Sequence, residues 1–280
     1  MVSQYLHGGG MFEGVIEDPL PGRESRPRSR GLTMVIDKGL GLQETRDLLE
    51  MAGPAIDFIK LAFGTAVLHS DRLLKCKIDL IKSYGVDVYP GGTLLEIALY
   101  QGRASELLQR CYELGFTCIE VSEGTLDISP TLRIEMIKAS ASRGFKVLTE
   151  VGKKDPMRKL THAQTREQIA RDLACGAYKV IVEGRDSGKG VGIYDDSGNI
   201  KDEELKQVRE GAGDIDNLII EAPMASQQRD LLLRFGPFVN LGNIQPHDVV
   251  SLEAMRRGLR SDTFAVAMAS DARLASGLKA

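Results

Sequence analysis

Leu32-Thr33-Met34-Val35-Ile36-Asp37-Lys38-Gly39-Leu40-Gly41 is where the chain first shows its architecture. Leu32–Asp37 is an apolar, β-branched run bounded by polar and glycine residues, which reads as a strand. A doubly wound open sheet would normally follow its first strand with a Gly-x-Gly-x-x-Gly turn. Asp37-Lys38-Gly39-Leu40-Gly41 does not fit that turn. Seven more strand candidates follow: Ile56–Leu61, Val86–Tyr89, Cys118–Val121, Lys146–Val151, Lys179–Glu183, Leu218–Glu221 and Phe238–Leu241. Between them lie stretches with apolar residues at helical spacing, such as Leu73, Leu74, Ile78 and Ile81. Ser129-Pro130 places a capping serine before a proline suited to the first helical position. Eight strands alternating with eight helices predict a single α/β domain, a (β/α)8 TIM barrel.

Working outward, residues 1–30 differ from the rest. Pro19, Pro21 and Pro27 alternate with Arg23, Arg26, Arg28 and Arg30, which predicts an extended N-terminal arm. Such an arm is either loose or folded over a neighbouring subunit or the mouth of the site. The barrel is expected over 31–265 and a C-terminal tail over 266–280. With 280 residues the chain is long enough for one such barrel.

Thirty-six Lys and Arg against 39 Asp and Glu give a net charge of −3, which offers nucleic acid no bulk attraction. No apolar run approaches the roughly 18 residues of a membrane span. Nor does the N-terminus carry an apolar core of signal-peptide type. Cys76, Cys111, Cys118 and Cys175 are scattered without Cys-x-x-Cys spacing and read as small hydrophobes. A cytoplasmic protein that binds neither nucleic acid nor membrane is the expectation.

Barrel chemistry is carried at the C-terminal ends of strands. Glu150, Glu183 and Glu221 end strands five, six and seven and can converge on one hard divalent cation such as Mg2+. The alternative is that these carboxylates only pair with lysines. Glu120, Ser122 and Glu123 lie in or just after strand four. Gly184–Gly192 holds four glycines with Arg185, Ser187 and Lys189, a composition that can turn N–H groups and cations toward an oxyanion. Gly91, Gly92 and Asn243 mark further strand ends with anion-binding potential. Lys38, Lys60, Lys153 and Lys154 crowd the expected mouth, where a lysine can act in acid–base work or form an imine. His7, His69, His162 and His247 lack ligand spacing, and no Gly-x-Ser-x-Gly elbow is present.

The segments 31–39 (Gly-Leu-Thr-Met-Val-Ile-Asp-Lys-Gly), 57–65 (Asp-Phe-Ile-Lys-Leu-Ala-Phe-Gly-Thr) and 89–94 (Tyr-Pro-Gly-Gly-Thr-Leu) belong to a longer series. It continues with Glu-Val-Gly-Lys-Lys (150–154), Glu-Gly-Arg-Asp-Ser-Gly-Lys-Gly (183–190), Glu-Ala-Pro (221–223), Val-Asn-Leu-Gly-Asn-Ile (239–244) and Met-Arg-Arg-Gly-Leu-Arg-Ser-Asp-Thr-Phe (255–264). In this order, from Gly31 to Phe264, the chain resembles the phosphosulfolactate synthase family. One departure is Leu61-Ala62-Phe63, where the family pattern reads Phe-Gly-Trp, a difference that bears on the pocket's contour.

The resemblance implies a barrel enzyme that adds sulfite to phosphoenolpyruvate with Mg2+, giving (2R)-phospho-3-sulfolactate for coenzyme M or sulfolactate formation. It also implies a homo-oligomer, a trimer being one candidate. The family's catalytic lysine falls in Glu-Val-Gly-x-Lys, which maps onto Lys154. Arg185, Lys189 and the glycine amides would then hold phosphate, with Lys38, Lys60 or Arg185 receiving sulfite. Two other readings stay open: a barrel aldolase or lyase working through a lysine imine, and a non-catalytic relative that kept only the scaffold.

Overall fold

The computed structural model describes residues 12, 14–153, 155–158 and 160–270. Eight strands form the sheet: β1 (Thr33–Asp37), β2 (Phe58–Leu61), β3 (Asp87–Tyr89), β4 (Cys118–Val121), β5 (Lys146–Val151), β6 (Lys179–Val182), β7 (Leu218–Glu221) and β8 (Leu241–Ile244). The paired strands are parallel, in the order β3-β2-β1-β8-β7-β6-β5-β4. The two ends of this order meet where the Thr117 N–H donates to the Val88 carbonyl at 3.1 Å and the Val88 N–H donates to the Thr117 hydroxyl at 2.9 Å. The sheet is thereby a barrel, as the strand rhythm predicts.

Helices run between the strands: α1 (Leu42–Ala52), α2 (Asp71–Ser83), α3 (Gly92–Tyr100), α4 (Ala104–Leu114), α5 (Pro130–Ser142), α6 (His162–Ala174), α7 (Asp202–Ala212) and α8 (Ala225–Phe235). α9 (Val249–Arg256) and α10 (Ser261–Ser270) close the described chain. The Ser129 hydroxyl caps α5 by accepting from the Leu132 N–H, with Pro130 at the first helical position. Two helices, not one, fill the β3–β4 connection, because α3 starts directly behind the strand and the chain turns at Gly102-Arg103. α10 runs across the expected 265/266 boundary.

Side-chain alternation, period two along a strand, sorts the residues into two layers. Val147, Val151, Val180, Val182, Leu218 and Ile220 face outward into the core shared with the helices. Leu32, Met34, Phe58, Tyr89, Cys118, Leu148, Ile181 and Ile219 fill the barrel interior. Two positions further along five of these strands stand Lys60, Glu120, Glu150, Glu183 and Glu221. Register, therefore, lays a charged layer on an apolar plug, and it does so at the C-terminal mouth.

β8 lies three residues later than expected. The segment before it is tied by Asn240, whose amide nitrogen donates to the Asp216 and Leu218 carbonyls and whose oxygen accepts the Leu32 N–H. Gly242 sits inside the barrel, where a Cβ would lie 2.3 Å from Met34 Cε. Glycine there answers close packing rather than a turn.

The proline- and arginine-rich arm is pinned to the opposite face from the mouth. Arg26 donates to the Ile56, Tyr84 and Gly85 carbonyls, Arg28 to Ala55 and Asp57, and Arg23 to Glu253 and Gly31. Arg256, from the 255–264 motif, is buried beside them and donates to Pro237, Val239 and Leu32 carbonyls. These residues close the barrel's base by satisfying the backbone groups that open the strands. The described part of the arm thus lies away from the mouth, not over it.

Candidate active site

The cavity at the barrel mouth measures about 380 Å3 and is lined by Lys60, Gly91, Gly92, Glu120, Glu150, Glu183, Arg185, Glu221 and Asn243 among others. Eight of the eleven residues expected in the site therefore meet in one place. Lys38 is exposed on the rim, 3.5 Å from Asp186 and over the Phe63 ring, and both of those residues line the cavity. Lys189 is exposed and does not line it. Lys154 lies outside the described residues.

Glu150, Glu183 and Glu221 are 2%, 2% and 1% exposed, and one carboxylate oxygen from each lies within 4.8 Å of the others. Hard oxygen donors so grouped suit a small divalent cation. Lys60 reaches into the same layer: its Nζ is 3.1 Å from Glu120, 3.3 Å from Glu221 and 3.7 Å from Glu150. Lys60 thus bridges three buried carboxylates, one outside the triad and two within it. Burying charge is costly unless it is paired, and grouped carboxylates are stabilised by a bound cation or by protons. Mg2+ fits this donor set.

Within this cluster burial and neighbouring charges shift the carboxyl and ammonium groups. Burial pushes the Glu221 carboxyl up from its ordinary 4.5, and repulsion by Glu150 and Glu120 adds to it against the pull of Lys60 and the Gly184 N–H. Burial alone would lower the Lys60 ammonium, but Glu120, Glu221, Tyr89 and Glu150 together hold it well above its ordinary 10.5. Burial dominates the rise at Glu221, whereas the surrounding anionic groups together outweigh burial at Lys60. A raised carboxyl means that the native state holds its proton more tightly than the unfolded chain. Glu221 therefore costs metal-free stability increasingly as pH rises above about 4.5. In chelator, urea unfolding of Glu221→Gln should gain on wild type between pH 5 and pH 8; a constant gap would contradict this.

Several strand-end groups have other partners. Asp37 accepts from the Gly39 and Leu40 N–H groups and pairs with buried Lys77, so it anchors the first loop. Lys153 turns away to Glu123 and Asp127. The 184–192 loop uses part of the N–H set expected for an anion: Gly184 donates to Glu221, Arg185 to Glu183 and Gly190 to the Asp195 carbonyl. Buried Gln227 ties the same loop, through the Gly188 carbonyl, to the Gly198 carbonyl beyond it. The Gly92 N–H donates to Glu120 at 2.8 Å, and a Cβ on Gly92 would sit 2.4 Å from that carboxylate. Gly92 therefore serves close approach between α3 and β4.

Glu120 and Asp186 are the charged cavity residues that sequence reasoning left out of the site. The signal for Glu120 was present, a carboxylate two positions after Cys118 in an otherwise apolar strand. Phe63, Arg185 and Asn243 all have positive φ (57°, 57° and 52°), and all three line the cavity. Such conformations cost of order 1–3 kcal/mol for non-glycine residues and gather at functional sites. Buried Arg133 braces the triad from behind, paired with Asp172 and donating to the Glu150 carbonyl at 3.0 Å.

Solved barrels share the fold. A 3-hexulose-6-phosphate synthase from Salmonella typhimurium superposes with a TM-score of 0.52 at 14% identity, covering 86% of this chain and 100% of that one. A 3-keto-L-gulonate-6-phosphate decarboxylase from Vibrio cholerae gives 0.52 at 12%, covering 84% and 98%. Sequence similarity is far closer to three proteins named phosphosulfolactate synthase. The Methanocaldococcus jannaschii protein is 46% identical over 84% of this chain and 94% of its own length. The Methanothermobacter thermautotrophicus protein is 44% identical over 87% and 95%, and the Bacillus subtilis protein 39% over 88% and 96%. The profile of the (2R)-phospho-3-sulfolactate synthase (ComA) family matches residues 21–262. With its barrel, its buried glutamates and this match over most of its length, the chain belongs to the (2R)-phospho-3-sulfolactate synthase family.

Proposed function

We propose that the chain is a phosphosulfolactate synthase that joins sulfite to C3 of phosphoenolpyruvate, with Mg2+ as cofactor, to give (2R)-phospho-3-sulfolactate. The observation that carries this reading is the convergence of Glu150, Glu183 and Glu221 on a cavity also lined by Lys60 and Arg185. Both substrates are anions, so a site that joins them needs cations from the protein as well as from the cofactor. Glu150, Glu183 and Glu221 would hold Mg2+, which when bound supplies Lewis-acid stabilisation to charge developing on the substrate carboxylate.

In the reaction the sulfur lone pair forms the C3–S bond while the C2=C3 π pair moves toward the carboxylate. Lys154, assigned from its motif, then gives a proton to C2 on one face, which fixes the R configuration. The amine recovers a proton from bisulfite or solvent. Arg185 and Lys60 take the anionic groups, with Lys38 adding positive potential at the rim. Asn243 supports Arg185 by donating to its carbonyl at 3.3 Å.

Lys60 does not suit an imine mechanism, since a fully charged ammonium held by three carboxylates has no lone pair to attack a carbonyl. The test is identification of the product by 13C NMR from 3-13C-phosphoenolpyruvate and sulfite. A sulfonate-bearing C3 is expected. Borohydride trapping of a lysine–substrate adduct, with no such carbon formed, would overturn the reading. Cytoplasmic location and assembly as a homo-oligomer belong to the same proposal. Among the described residues no helix is long and apolar enough to cross a membrane.

A further inference from the structure

Lys60 occupies the carboxylate layer as a cation in its own right. An ammonium has three N–H bonds, and this one faces three carboxylates at 3.1, 3.3 and 3.7 Å. Two of those, Glu221 and Glu150, belong to the proposed metal triad. The third, Glu120, does not: its Oε1 accepts the Gly92 N–H, and its Oε2 is the nearest neighbour of Lys60. Gly91 lies beside the lysine stem at the cavity wall, where even a Cβ would make only ordinary contact with Lys60 Cε, at 3.6 Å. Lys60 thus has one anchor outside the triad, two inside it, and open volume beside it.

A divalent ion on Glu150 and Glu221 would compete with Lys60 for their oxygens and repel its ammonium at short range. We propose that Lys60 is a resident cation that pairs with Glu150 and Glu221 before metal arrives, then releases them, keeps Glu120, and presents its charge to the cavity. This rests on the Mg2+ part of the proposed function. It makes Glu120 a positioning residue, one that holds Lys60 in reach of the mouth after the exchange. It also makes the two bindings interdependent, because the metal frees the cation that the incoming anion uses.

The sign of one measurement separates this from a plain structural role. If Lys60 merely held the glutamates in shape, removing it would weaken metal binding. If it competes, Lys60→Met binds Mn2+ roughly tenfold more tightly than wild type. Glu120→Gln, which takes away the outside anchor, leaves Lys60 on Glu150 and Glu221 and weakens Mn2+ binding several-fold. Free Mn2+ would be read by electron paramagnetic resonance during titration of the full-length chain, with circular dichroism confirming the fold. Tighter binding by Lys60→Met and weaker binding by Glu120→Gln is the expected pair. Unchanged or weaker binding by Lys60→Met, with wild type binding one Mn2+, overturns the exchange and leaves the metal site standing. No Mn2+ bound by wild type or either variant overturns both. Should Lys60→Met not fold, unchanged or tighter binding by Glu120→Gln overturns the exchange.

Discussion

Glu183→Gln lowers kcat for sulfite-dependent loss of phosphoenolpyruvate roughly a thousandfold, about 4 kcal/mol of barrier, because it removes one of three buried carboxylates able to hold the metal. The amide keeps the volume of the side chain and one acceptor oxygen, so the barrel itself should survive. Higher Mg2+ should restore part of the rate, which separates a lost ligand from a lost fold. Glu183 also accepts the Arg185 N–H at 2.6 Å, a bond that the remaining amide oxygen can keep. Glu221 also pairs with Lys60 and accepts the Gly184 N–H, and Glu150 lies next to the carbonyl bond from Arg133. Substitution at any of the three disturbs more than metal affinity, so the Mg2+ dependence of the rate is the deciding readout. A Glu183→Gln enzyme with near-wild-type activity at limiting Mg2+ would contradict the assignment.

The second large effect is expected at Lys154. Replacing it by Ala should cost between about a hundredfold and ten-thousandfold in kcat, the usual range for a positioned proton donor. The KM for phosphoenolpyruvate should change little if, as proposed, this lysine acts on C2 and not on the anionic groups. Residual product, if enough can be collected, should have lost its uniform R configuration. A Lys154→Ala enzyme that raises KM with kcat intact would instead make Lys154 a substrate-binding residue. The proton donor would then have to be sought among other residues.

The barrel and its charged layer were readable in the sequence for a simple reason. In Leu148-x-Glu150, Ile181-x-Glu183 and Ile219-x-Glu221, an apolar residue and a carboxylate share one strand face, two positions apart. Strand-end position then says which side of the barrel they occupy. What did not follow were the long-range partners. Asp37 looks like any strand-end acid until Lys77, forty residues on, is seen to claim it. Glu120 resembles the other glutamates until α3 is found to begin at Gly92 and to give it an N–H. Gly242 reads as a turn because only Met34, on another strand, shows why no side chain fits there. The glycine-rich 184–192 loop suggested a phosphate cradle, whereas Gln227 and the triad itself use much of its backbone. Local pattern fixes which residues share a face; which of them are already partnered is decided by tertiary neighbours.

The central claim, sulfite addition to phosphoenolpyruvate at the glutamate-lined mouth, is tested most directly by the initial rate of phosphoenolpyruvate loss with the purified chain. The assay is run with and without sulfite, and with and without chelator. Loss that requires sulfite, stops in chelator and returns with added Mg2+ is the predicted result. A well-folded protein that leaves phosphoenolpyruvate untouched in the presence of both sulfite and Mg2+ would contradict it.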